Sequence, residues 1–188
     1  MADNLSGLDW FKKNQSKYPN SDKISDLSGS FKTAVQSFCK ALEDAGAKIA
    51  PESTLRDATR AFIMHYAWKL AKGQIKAAKI PKRSGLDIEW DHGDEKKSQE
   101  AAKDMIGKKG FDMAHIAALD SNHIKGLAID WAITWSGDLK IKNAKGDEVT
   151  ITTTPRTGND NKELHAVGAT YGVHKLVSDP PHWSHDGK

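Results

Sequence analysis

The chain has 188 residues, 38% hydrophobic and 28% charged, with a formal net charge of +3. That length and balance suit one globular domain spanning residues 1–188, and no apolar run nears the roughly 20 residues of a membrane-spanning helix, which excludes insertion by that route. The lysines are scattered without a basic-aromatic pattern, so nucleic acid is not an expected partner, whereas mild positive charge suits an anionic polymer. Cys39 is the only cysteine, so an internal disulfide and a cysteine zinc site are both excluded. Any zinc ion would need histidine and carboxylate ligands.

Residues 1–29 read as a polar N-terminal extension, with a turn at Pro19-Asn20-Ser21-Asp22. Met1 to Leu5 show no basic stretch leading into an apolar one, so the start does not read as a secretory signal. The expectation is a protein made in the cytoplasm and delivered elsewhere by other means. Phe31, Val35, Phe38, Leu42 and Ala45 recur at helical spacing and predict an amphipathic helix ending at Gly46. Ser53-Thr54-Leu55-Arg56 reads as a short extended piece. Asp57 can cap a second helix reaching about Ala71, with Phe62, Tyr66, Ala67 and Leu70 inward. Residues 82–95 are loop-like and acidic, and a third helix is expected from about Lys96 to Ile106.

From Leu127 the period changes to two. Ile129, Trp131, Ile133 and Trp135 fall on one face of a strand, with Asp130, Ala132 and Thr134 on the other. Leu139–Ile141 and Val149–Thr153 suggest two more strands around a turn at residues 143–146, and Asn161 to Tyr171 a short helix. Helices first, then mainly strands, predict an α+β domain with an antiparallel sheet and helices packed on it.

Two stretches carry chemistry. In Ser121-Asn122-His123-Ile124-Lys125-Gly126-Leu127-Ala128-Ile129-Asp130, His123 and Asp130 differ by an odd count. A single regular strand would send them to opposite faces, unless the chain bends at Gly126. In Ser178-Asp179-Pro180-Pro181-His182-Trp183, two prolines stiffen the link between Asp179 and His182. His123, Asp130 and His182 together make a three-ligand zinc site with an open fourth position. Zinc lowers the pKa of a water there toward about 7, and Asp179 is placed to move that water's proton to a leaving amine. Ser121 and Trp183, each close to a ligand in the chain, are expected to face the substrate.

The acidic stretch with Asp87, Glu89, Asp91 and Asp94 departs from a calcium loop: His92 stands where a sharp-turn glycine belongs, and Ser98 where a bidentate Glu belongs.

These residues resemble the zinc D-Ala-D-Ala carboxypeptidase and L-alanyl-D-glutamate endopeptidase family, which includes the vancomycin-resistance D,D-peptidases and several phage endolysins. The family signature S-x-H-x-x-G-x-A-x-D is matched at every fixed place by positions 121 to 130, and Asp179-x-x-His182 supplies the later acidic-x-x-His. Arg56 looks like the family arginine that precedes a helix upstream. The resemblance spans roughly residues 30 to 185, with a long insert between Arg56 and His123 expected to shape the cleft. It implies a zinc D,D-peptidase-like fold, a zinc cofactor, and an Arg56 that binds the substrate carbonyl and stabilises the oxyanion. It implies hydrolysis of a peptidoglycan stem or crosslink peptide, as a lytic enzyme or an antibacterial toxin, the latter with a cognate immunity protein as partner. The alternatives are a D-Ala-D-Ala carboxypeptidase and a non-catalytic zinc-containing wall-binding module. Action on the cell wall would follow release or injection.

Overall fold

The computed structural model describes residues 4–188. In chain order its elements are α1 (Leu8–Asn14), α2 (Gly29–Asp44), β1 (Lys48–Ser53), α3 (Ala58–Ala71), α4 (Glu95–Ile106), α5 (Asn122–Lys125), β2 (Ala128–Thr134), β3 (Leu139–Lys142), β4 (Glu148–Ile151), α6 (Lys162–Thr170), β5 (His174–Lys175) and β6 (His182–Ser184). The fold class is α+β, as the order of patterns implied. The chain divides into two compact units, one of residues up to Pro19 with Asp57–Asp120, the other of Asn20–Arg56 with Ser121–Lys188.

Among the described residues, the second unit holds all the strands. Its four-stranded sheet has the order β1-β2-β6-β5, and β3-β4 form a separate hairpin. Every pairing is antiparallel. Period-two alternation in β2 buries Ile129, Trp131 and Ile133 and leaves Ala132 and Thr134 exposed. The apolar stripe of α2 (Phe31, Val35, Phe38 and Leu42) closes on that buried face. Phe38 is the hub, with ring centroids 5.8 Å from Trp131, 5.9 Å from Trp183 and 5.5 Å from Tyr171. Such aromatic pairs add about 0.5–1.5 kcal/mol each beyond the area they bury. Asn161 starts α6 by accepting the Leu164 N–H at 3.0 Å, and its own amide donates to the Pro155 carbonyl at 2.9 Å.

The first unit is built from α1, α3 and α4 around Trp10, Phe11, Ile63, Leu70, Trp90 and Met105. Asp57 caps α3 by accepting the N–H groups of Thr59 and Arg60 at 2.7 and 3.0 Å. Asp94 caps α4 through the Lys97 N–H at 2.9 Å. The stretch read as a polar extension contains α1, whose Trp10 and Phe11 are buried. Two adjacent aromatics in a short polar run show too few repeats to register as a periodic pattern, yet they anchor the helix through burial. The acidic stretch before α4 forms local turns, with Asp91 accepting the Gly93 N–H at 2.9 Å and Glu89 the Asp91 N–H at 3.0 Å, and it is tied to the start of the chain by Asp87, which accepts the Asn4 amide at 2.6 Å.

Candidate metal centre

The centre lies within the second unit and is assembled by three local devices. The first is the turn from α5 into β2. His123 sits on α5, and Gly126 ends that helix in the left-handed region with φ 69° and ψ 28°. A Cβ at residue 126 would also stand 2.6 Å from Ser28 Oγ, so both conformation and space require glycine. The parity problem between His123 and Asp130 disappears because His123 is helical and only Asp130 lies on the strand.

The second device is register. Asp130 on β2 pairs directly with His182 on β6, and directly opposed residues in an antiparallel pair project from the same face. That face is opposite the tryptophans, as the alternation in β2 required. The third device is the loop that returns the chain to β6. The His182 N–H donates to the Asp179 carbonyl at 3.0 Å, and the Trp131 N–H donates to the Pro181 carbonyl at 3.1 Å. The Lys175 ammonium donates to the carbonyls of Leu176, Asp179 (2.6 Å) and His182 (3.1 Å), so its three protons meet three oxygens of this loop. Nothing in the sequence pattern marks Lys175 for this task.

Three polar atoms converge as a result. His123 Nε2 is 3.1 Å from Asp130 Oδ1 and 3.2 Å from His182 Nδ1, and His182 Nδ1 is 2.9 Å from Asp130 Oδ1. Both imidazoles are buried, at 5% and 7% exposure, so water does not screen the cluster fully. The far side of each ring fixes its tautomer. His123 Nδ1 is 2.9 Å from the Thr54 carbonyl, and His182 Nε2 is 3.2 Å from the Lys188 backbone oxygen. A carbonyl can only accept, so each outer nitrogen carries a proton and donates it. In the neutral rings the inner nitrogens are then bare lone pairs, facing each other and a carboxylate oxygen. Three such atoms at hydrogen-bond distance repel unless a positive charge lies among them, either a proton or a metal cation. The outward N–H to carbonyl bonds are the arrangement that orients metal-binding histidines. The His123, Asp130, His182 cluster could therefore hold a metal ion, and it is the one such group among the described residues.

The electrostatics agree. Burial alone would raise the Asp130 carboxyl, but hydrogen bonds and charge from His123 and His182 outweigh it and hold Asp130 well below the usual carboxylate range. Burial would lower His182, yet the contact with Asp130, aided by the Lys188 oxygen and the Asp179 charge, raises it.

Of the other residues singled out in the sequence, Arg56 comes to the centre. Its N–H donates to the His123 carbonyl at 3.1 Å and its Nε donates to Asn20 Oδ1 at 3.2 Å. Burial lowers the Arg56 pKa, opposed by the negative charge of Asp130. Asp179 is exposed, with its carboxylate close enough to bias His182. Ser121 Oγ is buried and has no hydrogen-bond partner among the described residues. Trp183 corrects the expectation that it faces the substrate. It is fully buried, packed against Phe38, Trp131 and His165. The reason is strand alternation: with His182 aimed at the centre, its neighbour must point into the core. Thr54 is a residue the sequence did not flag. Its carbonyl receives His123, and its buried hydroxyl reaches the carbonyls of Ser21 and Lys23, both at 3.0 Å.

Comparison with models of known protein families finds no match to this chain, and a search of curated proteins finds none either.

Proposed function

We propose that this chain is a zinc-dependent peptidase that hydrolyses a peptide bond in the stem or crosslink of bacterial cell-wall peptidoglycan, acting as an endopeptidase. The observation that carries this reading is the convergence of His123 Nε2, Asp130 Oδ1 and His182 Nδ1 at 2.9–3.2 Å, each ring anchored from behind on a carbonyl. A tetrahedral ion with bonds of about 2.0–2.1 Å sets its ligand atoms about 3.3 Å apart, close to these separations. Two imidazoles and one carboxylate are a zinc donor set with a position left for water or substrate. The resemblance of residues 121–130 and 179–182 to the peptidoglycan peptidase signatures supplies the substrate class.

Zinc held by His123, Asp130 and His182 would supply Lewis acidity and lower the pKa of a water toward neutrality. The chain's own groups divide the remaining work. The exposed Asp179 carboxylate takes the proton of the attacking water and delivers it to the leaving amine, a contribution of about 10²–10⁴ in rate. The Arg56 guanidinium faces the charge that grows on the substrate carbonyl oxygen, where a fixed cation stabilises the transition state more than the ground state. Thr54 and Lys188 hold the two histidines in the tautomer that presents a lone pair. Access to the wall would come by release in phage-type lysis or by injection as a toxin, the second implying an immunity protein.

The test is muropeptide mass spectrometry with purified protein, with and without a chelator. Separation of stem or crosslink fragments only in the chelator-free sample supports the endopeptidase reading. Loss of a single alanine assigns a D,D-carboxypeptidase instead. Sacculus binding with no new fragments, by protein loaded with zinc, overturns the enzymatic reading in favour of a wall-binding module.

A further inference from the structure

Behind His182 the chain folds back on itself, and this return has a purpose that the ligand set does not explain. Gly187 adopts the left-handed conformation with φ 74°, which turns the backbone so that Lys188 lies beside β6. The Lys188 N–H donates to Ser184 Oγ at 3.0 Å, and Asp186 Oδ1 accepts the same N–H at 3.2 Å. The single Ser184 hydroxyl proton has two acceptors in reach, the Lys188 oxygen at 3.0 Å and Asp186 Oδ1 at 3.2 Å. His182, Ser184, Asp186 and Lys188 thus form a small closed network.

Asn122 ties this network to the other histidine. It is the neighbour of His123 on α5, and its amide nitrogen donates to the Lys188 oxygen at 2.9 Å and to Asp186 Oδ1 at 2.8 Å. One backbone oxygen therefore receives the Asn122 amide from the His123 side and the His182 imidazole from the β6 side. A backbone oxygen has two lone pairs, so it can serve both when the Ser184 hydroxyl proton turns to Asp186 Oδ1. The elements that carry the two histidines are linked by β2 at the front and by this oxygen at the back.

We infer that residues 184–188 and Asn122 form a positioning clasp that fixes the tautomer and aim of His182 relative to His123 and so sets the affinity and geometry of the metal site. The inference rests on the proposed metal reading. Asn122 and Asp186 are positioning residues: neither touches the converging atoms, and each acts through Lys188 and His182. Partners of this kind change metal affinity by about 10–100-fold when removed. The Asn122–Asp186 and Asn122–Lys188 contacts are solvent-exposed, so their loss leaves the apolar core intact.

The experiment measures zinc affinity by competition with a chromophoric chelator, and the visible spectrum of the cobalt-substituted full chain, for wild type, Asn122→Ala, Asp186→Ala and Asp186→Asn. Thermal melting of the metal-free proteins controls for folding. The expected result is binding weakened about 10–100-fold with an altered cobalt spectrum in Asn122→Ala and Asp186→Ala. Asp186→Asn keeps an oxygen that can accept from Asn122 and recovers most of the affinity. Wild-type affinity and an unchanged cobalt spectrum in both alanine variants overturn the clasp while leaving the metal reading intact. A wild-type protein that binds neither zinc nor cobalt overturns the metal reading and the clasp with it.

Discussion

The two compact units use polar residues in different ways. In the helical unit, the acidic side chains that start helices and turns act locally: Asp57 and Asp94 cap the helices they precede, and Asp91 and Glu89 close turns two residues away, while a few long-range contacts such as Asn4–Asp87 and Ser6–His92 tie its segments together without converging on one point. In the sheet unit, residues far apart in the chain are set face to face, Asp130 against His182 by strand register and His123 beside them by the turn at Gly126. Helical contacts are local, whereas antiparallel pairing joins distant segments at defined positions. Convergent lone pairs need groups that cannot avoid one another, and the sheet supplies that constraint. It also separates duties residue by residue, since Asp130 and His182 face the centre while Trp131 and Trp183 pack the core.

The largest effect that would break this contrast comes from the ligands. His123→Ala or Asp130→Ala should abolish turnover and weaken zinc binding by about 10³-fold or more, a fraction of the roughly 10–16 kcal/mol that complete zinc sites provide. Calorimetric titration checks it, and zinc affinity retained in either variant would mean that the sheet unit is not the metal unit. Next is Asp179→Ala, which should cut muropeptide release about 10²–10⁴-fold with zinc affinity within a few-fold of wild type. Undiminished cleavage would remove Asp179 from the mechanism.

Core truncation separates the units at a smaller scale. Leu70→Ala in the helical unit and Leu42→Ala in the sheet unit both remove fully buried side chains and should each cost about 2–5 kcal/mol of stability in denaturant titrations. Zinc added at saturation should stabilise the sheet-unit variant through mass action. A metal that protects only the Leu70→Ala protein would reverse the assignment.

The effect of pH is gentler. The His182 pKa is raised in the metal-free protein, so its protonation favours the metal-free fold at low pH, and that contribution is lost as pH rises through the raised value. Zinc must displace this proton. Its affinity should therefore fall by up to about tenfold per pH unit below that point and level off above it. Flat affinity between about pH 5 and 8 would mean that His182 is not a ligand. Smallest of all, Asp57→Ala should cost about 1 kcal/mol through loss of the α3 cap, seen as a lower melting temperature with unchanged zinc affinity.

Much of this molecule was legible in the sequence. The stripe Phe31, Val35, Phe38, Leu42 implied α2, the alternation 129–135 implied β2 and the inward side of its tryptophans, and Asp57 and Asn161 marked helix starts. These features arise from neighbours in the chain, so a short window contains their cause. His123, Asp130 and His182 were legible as candidates, through their residue types and the resemblance of residues 121–130 and 179–182 to a family signature, and the structure brings them together as a group that could hold a metal ion.

What the sequence by itself determined was the inventory: α+β patterning, the helix caps, the glycine at the bend and the three groups able to bind a metal. Tertiary structure alone decided that Asp130 and His182 are cross-strand partners, that Trp183 belongs to the core, and that Thr54, Lys175 and the Lys188 oxygen hold the site from behind. Backbone carbonyls explain the difference. Every residue has one, so no sequence pattern shows which of them a histidine will meet until strand register and loop closure bring the two together.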